Sequence, residues 1–311
     1  MASATTINTP RINLNLSSND AAVLQALFDN GEGSFSSSAH DVNPYPNSSS
    51  TVAAHSGQNA RIDASLPSFP QCSIREETAL QSLKDRELAI VRQIQSHAHT
   101  RTSSNPHCDE EAVSHVLRQA IDDLSSLITE RPDYPPLYAN RAQALRILMQ
   151  SSSTLSSSTK NSDKDIAIFY PENINMATQL LSDLSKAIAL ASPPSTGDNT
   201  SNTSVSPAQA RLLSNTYTHR GYILLKAGKI RKEEEEGEGN EEKKPRGGPE
   251  QLLRITSRDE LEEMASQDFF QAGRYGNEVG KQLSVQTNPY AKMCGAIVKE
   301  ALKKEIEEFQ S

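Results

Sequence analysis

The sequence has no Trp, three Cys and 5% aromatic residues, and 35% of its 311 residues are apolar. A chain this poor in core-forming side chains supports one modest domain with long polar insertions, fewer than its length would nominally allow. No stretch approaches the roughly 18 consecutive apolar residues that span a bilayer. The start, MASATTINTPRINLNL, lacks the charged and then apolar order of a secretion signal. A cytoplasmic chain is therefore expected, with the nucleus as the second compartment open to it. Cys72, Cys108 and Cys294 are odd in number and widely spaced. They offer no disulfide framework and suit a reducing compartment, and the sequons at Asn15, Asn47, Asn199 and Asn202 are then incidental. Basic residues number 31 against 39 acidic ones, for a net charge of −8, with no basic stripe interleaved with aromatics. That balance argues against gripping nucleic acid or an anionic membrane and leaves a protein or peptide as the expected partner. No convincing strand pattern occurs, so the fold class is all-α.

Residues 1–72 read as a largely disordered arm, because Ser, Asn, Pro and Gly dominate without a sustained apolar period. One segment departs from that background. In SSNDAAVLQALFDN, Asn19 or Asp20 can cap a short helix near 19–29 that lines up Val23, Leu24, Leu27 and Phe28. Such a helix is too short to stand alone and must dock on its own domain or on a partner. From Ser73 the apolar spacing becomes helical through Leu80, Leu83, Leu88, Val91 and Ile94, and further helices are predicted from about Glu110 up to Pro132, over YANRAQALRIL after Pro136, over NMATQLLSDLSKAIALA, and over about 208–227, 258–274 and 289–308. Gly228 is the expected stop of the fifth, and Asn288-Pro289 the expected start of the last. The runs SSSTLSSSTKNSD and KIRKEEEEGEGNEEKKPRGGPE cannot bury a face and read as inserts.

The helices fall into a tetratricopeptide register, a unit of about 34 residues with a large residue at position 4, small ones at 8, 20 and 27, large ones at 11 and 24, and often Pro at 32. With Pro132 at 32, Ala120, Leu124 and Leu127 stand at 20, 24 and 27, and Tyr138, Ala142 and Leu145 stand at 4, 8 and 11 of the next unit. Tyr217, Gly221 and Leu224 repeat the first-helix pattern. Leu180, Leu184 and Ala187, then Ala265, Phe269 and Ala272, repeat the second. From Leu145 to Leu184 the chain uses 39 residues where the repeat uses 13, and from Leu224 to Phe269 it uses 45. Both insertions fall between the two helices of a unit, on the one edge of a solenoid that tolerates them. Arg141 and Arg220 share position 7, and Asp123, Asp183 and Asp268 share position 23, as candidates for recurring ion pairs. The expected architecture is a right-handed superhelix of three insert-bearing units, about 74–132, 135–192 and 208–277, closed by a capping helix at 289–308 within a domain spanning 73–311. Asn288, Pro289 and Tyr290 are read as the device that stops the array and starts the cap.

Five segments, SSNDAAVLQALFDN, YANRAQALRIL, YTHRGYILL, DFFQAGRYG and NPYAKMC, resemble the tetratricopeptide repeat protein 36 family. The chain departs from that family in its long inserts, in Gly295 after Cys294, and in polar sequence between the first two helices. The resemblance implies a small cytosolic adaptor, chaperone-associated and tied to tyrosine breakdown, which would protect a metabolic enzyme from turnover.

Three repeats often form a clamp for the terminal carboxylates of a chaperone tail, using Lys, Asn and Arg on the first helices of the units. Here the clamp positions hold Glu87, Val91, Asn140, Asn215 and His219. One of five is retained and Glu87 would repel the ligand, so binding of this kind is not expected. What remains on the inner face is Asn140, Gln143, Arg146, Thr218, His219 and Tyr222, an amide, cation and aromatic mixture suited to peptide recognition, with a plain solvated face as the rival reading. His97, His99, His107, Cys108 and His115 crowd one insert and the helix after it, but their spacing matches no familiar zinc site, and no cofactor or metal is expected. Gly276 to Lys281 resembles a phosphate loop but is one residue short, follows no strand, and carries Gln282 where Ser or Thr should stand. No nucleophile and base share a motif, so catalysis is not expected. Cys294 is expected to be packed on the closing helix. Two rivals to the adaptor are a structural subunit of a larger assembly and a zinc-binding enzyme using the His-rich insert.

Overall fold

The computed structural model describes residues 59–70, 72–73, 76–99, 106–153, 164–193, 204–236 and 247–310. The short helix expected near 19–29 lies outside the described residues. The chain is mostly helical: α1 (Glu77–His99), α2 (Pro106–Glu130), α3 (Pro135–Ser153), α4 (Ile174–Ala191), α5 (Pro207–Glu236), α6 (Glu250–Leu253), α7 (Arg258–Arg274), α8 (Glu278–Thr287) and α9 (Pro289–Gln310). Consecutive long helices pack on one another from α1 to α5, α5 packs on α7, and α7 packs on α8. The largest core lies between α3, α4, α5 and α7 and is centred on Ala142, Leu145, Leu180, Leu184, Tyr222 and Phe269. A second joins α1, α2 and the start of α3 through Leu83, Ile90, Leu124, Leu127 and Leu137.

The helix starts follow local chemistry. Ser206 and Gln209 form a reciprocal cap at the head of α5: the Gln209 N–H donates to Ser206 Oγ at 3.1 Å, and the Ser206 N–H donates to Gln209 Oε1 at 3.0 Å. At α7, Ser257 Oγ accepts from the Glu260 N–H, Asp259 and Glu260 fill the first turn and Arg274 the last, all complementing the helix dipole. Among the described residues no helix is long and apolar enough to cross a membrane.

Five features differ from the expectation. Residues 59–70 and 72, inside the arm expected to be largely disordered, run with Ser73 as a strap across three helix junctions. The Ala60 N–H bonds the Arg274 carbonyl at the end of α7. Arg61 and Ile62 (β1) then pair in parallel with Ser204 and Val205 (β2), a two-residue ladder that no period could reveal. Ser206 Oγ donates to the Ser68 carbonyl, the Phe69 ring meets Tyr134 edge-on, and the Ser73 N–H bonds Asp133 Oδ2.

Helix α5 does not stop at Gly228. Gly228 keeps a helical backbone facing α7, and Arg231 beyond it is buried, donating to the Leu252 carbonyl. The inserts are polar in their bulk, yet their returning ends fold onto the core. Residues Lys164–Phe169 form a 3-10 helix that buries Ala167 and Ile168, and α6 buries Leu252, with Thr178 Oγ1 accepting from the Glu250 N–H.

Helix α8, which the sequence reading missed, is the element that covers α7. Gly276, at φ 97°, turns the chain out of α7. Asn277 caps α8 by accepting from the Gly280 N–H, and Gly280 lies where an added Cβ would stand 2.9 Å from the Phe269 carbonyl. The expected capping helix, α9, begins at Pro289 with Asn288 Oδ1 accepting from the Tyr290 N–H. Its apolar face, however, stays in solvent: Ile297 is 59% exposed, and Cys294, expected to be packed, is exposed as well.

Candidate functional site

Helices α3 and α5 occupy equivalent places in the register and present equivalent side chains. Ala142 is fully buried, and an added Cβ at Gly221 would stand 3.1 Å from the Phe269 ring, so both positions need small residues where the paired helices cross. One residue before each stands an arginine in a two-pronged pair. Arg141 donates from Nε and Nη2 to the two oxygens of Asp183 at 2.8 and 2.7 Å, and Arg220 does the same to Asp268 at 2.7 Å for both bonds. Each arginine also reaches a serine on the preceding helix, Ser125 from Arg141 and Ser185 from Arg220. The residues at position 25, which the sequence reading passed over, thus make each pair a link between consecutive helix pairs. Asp123 is the exception, taking the Gln119 amide instead.

The electrostatics of the two links follow from burial. Loss of water pushes the Asp268 carboxyl above its ordinary value, against the Arg220 guanidinium beside it. Burial also opposes charge on Arg220, and the Asp268 carboxylate overcomes it, holding the guanidinium above its usual range. Arg220 lies over the Tyr217 ring at 5.6 Å, and Tyr217 stacks on Tyr275. Tyr138, at the corresponding place in α3, donates instead to the Pro132 carbonyl at 2.9 Å, which closes the turn between α2 and α3.

The six residues expected to form an open partner groove are largely interior. Arg146, Thr218, His219 and Tyr222 are 1%, 0%, 4% and 1% exposed, while Asn140 and Gln143 are partly exposed. The first four therefore present almost no surface to a partner. The Tyr222 ring carries two cations, Arg146 at 5.2 Å and Lys226 at 5.3 Å from its centre. Thr218 donates to the Ser214 carbonyl and accepts from Asn277 Nδ2 at 2.9 Å, which ties the middle of α5 to the cap of α8. Lys226 and Asn277 are the members of this seam that sequence reasoning missed. Helical spacing from Tyr222 would have found the first, and the Asn-x-x-Gly start of α8 the second.

At the other end of the inner face, Glu87 accepts from Asn140 Nδ2 at 2.6 Å and from the Tyr134 hydroxyl. Burial pushes its carboxyl up to about 7, despite those two donors and nearby Lys84. Asn140, the one residue shared with a carboxylate clamp, thus bonds an internal carboxylate. His97 and His99 lie on the last turn of α1, and His107 and Cys108 on the first turn of α2; His115 is exposed. Among the described residues no group of three or more His, Cys, Asp or Glu side chains is placed to hold a metal ion. Near the chain's end, Glu262 is gripped by Arg258 at 2.9 Å and Lys292 at 2.6 Å; burial opposes its charge and the two cations hold its carboxyl below the usual range.

Over 307 residues, 99% of each chain, the sequence is 46% identical to the L-tyrosine degradation gene cluster protein hmgX of Aspergillus fumigatus. No family model matches the chain, and no solved structure matches it.

Proposed function

The chain belongs to the family of the L-tyrosine degradation gene cluster protein hmgX, and from that premise we propose that it serves tyrosine degradation as a noncatalytic, protein-binding adaptor in the cytoplasm. The observation that carries the reading is likeness to that relative over 307 residues, 99% of each chain. Its scaffold is read as a tetratricopeptide superhelix. What supports this is the recurrence of one linkage, arginine at position 7 to aspartate at 23 and to serine at 25 of the preceding unit, in α3 with α4 and again in α5 with α7. The likeness to tetratricopeptide repeat protein 36 supports association with a chaperone and a metabolic enzyme as the partner. Contact is assigned to the partly exposed rim at Asn140 and Gln143, since the deeper inner-face residues are interior.

Affinity capture of the tagged full chain from cells grown on L-tyrosine tests the proposal. An enzyme of tyrosine breakdown, or a chaperone carrying one, is expected to co-purify with the wild type and to be reduced with an Asn140→Ala, Gln143→Ala variant that keeps its helical circular dichroism. Recovery of neither protein, or turnover of a tyrosine breakdown intermediate by the purified chain alone, would overturn it.

A further inference from the structure

Helix α9 is long, amphipathic and exposed. Tyr290, Met293, Ile297, Val298, Leu302 and Ile306 are each more than half exposed, and no residue of α9 joins any of the buried clusters. Its root is fixed to α7 by the Lys292–Glu262 pair and capped by Asn288, so the helix is held outward with its apolar residues in water. An isolated helix of this kind is stabilised by packing its apolar face against something.

The charges indicate what that is. From Pro289 to Lys299 the ionisable residues are Lys292 and Lys299, giving +2. From Glu300 to Gln310 they are Glu300, Lys303, Lys304, Glu305, Glu307 and Glu308, giving −2. This order runs against the helix dipole, with cations in the half whose backbone end is positive and acids in the half whose end is negative. The first turn holds no acid and the last turn no base. A single helix so charged works against itself, whereas an antiparallel neighbour of the same sequence sets each positive half beside a negative half and opposes the two dipoles.

The apolar residues obey the same reversal. Turning the helix end for end about the Lys299–Glu300 bond brings Met293 level with Ile306, Ile297 with Leu302, and Val298 with Ala301. Zero net charge on the helix disfavours an anionic membrane as the occupant. Six half-exposed apolar side chains, each leaving on the order of 100 Å² in water, supply roughly 1,200 Å² over two copies, the lower edge of stable interfaces.

We propose that α9 is the dimerisation element of this protein, pairing antiparallel with α9 of a second copy about a two-fold axis at Lys299–Glu300. Such an isologous contact presents two helical domains from one hub, so a partner that is itself oligomeric would be held at two points.

Equilibrium sedimentation of the full chain tests the pairing, and its own cysteine tests the direction. The wild type is expected at twice the chain mass, and an Ile297→Glu, Leu302→Glu variant at the single-chain mass with the same thermal midpoint for the rest of the fold. In the antiparallel register Cys294 lies level with position 305 of the second copy. A Glu305→Cys variant is therefore expected to form an oxidised, disulfide-linked dimer, while the wild type does not. A monomeric wild type at tens of micromolar, a Cys294–Cys294 link in the oxidised wild type, or a dimer that survives the double substitution would each overturn the proposal.

Discussion

Arg141 and Asp183 share two hydrogen bonds of 2.8 and 2.7 Å, with the carboxylate side chain 2% exposed and the arginine 13%. The Arg220–Asp268 pair reproduces that geometry one helix pair later. Removing one member leaves a charge stranded in a low-dielectric site, whereas removing both does not. Asp183→Ala is expected to cost about 3–5 kcal/mol in urea unfolding, and the Arg141→Met, Asp183→Leu double variant markedly less. A double-mutant cycle checks this, and an additive cycle would show that the pair links nothing.

Glu87 gives the fold an unusual pH dependence. Burial pushes its carboxyl up to about 7 from an ordinary 4.5, so the folded chain binds this proton more tightly than the unfolded chain. The stabilising effect of that proton is fully present below pH 4.5 and is lost as pH rises through about 7. Glu87→Gln keeps an acceptor for Asn140 and Tyr134 without the charge. It is expected to raise stability at pH 8 by roughly 1–3 kcal/mol and to flatten the fall between the two values, read by thermal unfolding across pH.

Ser206 is bonded three ways: its Oγ accepts from the Gln209 N–H to cap α5, its N–H donates to Gln209 Oε1, and its Oγ donates to the Ser68 carbonyl of the strap. Ser206→Ala is expected to lower stability by about 1–2 kcal/mol. Hydrogen exchange at Asp63, whose N–H bonds the Val205 carbonyl, should accelerate with it, because the strap loses an adjacent anchor. Exchange unchanged at Asp63 would separate the cap from the strap.

Asn277 donates to Thr218 and accepts from Gly280, and it is 8% exposed. Asn277→Ala strands the Gly280 N–H and frees the start of α8, for an expected loss of about 1–3 kcal/mol in urea unfolding. A loss below the measurement error would mean that α8 is held by its apolar residues alone.

Much of the helical layout was legible because the apolar periods of α2, α3, α4 and α7 are strong and bounded by Pro or by polar runs. The arginine and aspartate positions were legible as well, because equal register numbers select facing residues. What the sequence hid has a common cause: contacts between segments distant along the chain. Gly228 carries a stop signal that packing against α7 overrides. The strap is set by backbone bonds to Arg274 and Val205, which leave no side-chain period. Helix α8 has only Val279, Leu283 and the solvent-facing Val285 as apolar markers and rests on a cap and a close glycine contact. Polar character at helical spacing suggests solvent, which is why the inner-face residues read as a partner surface, yet Arg146, Thr218 and His219 are interior.

The role proposed for this helical chain is to serve tyrosine degradation without catalysing a step of it. Consumption of L-tyrosine as sole carbon source, measured in the source organism with the gene deleted, tests that claim most directly. Slowed consumption is expected, restored by the wild-type chain and poorly by the Asn140→Ala, Gln143→Ala variant, with no breakdown step carried out by the purified protein. Wild-type consumption in the deletion strain would contradict it.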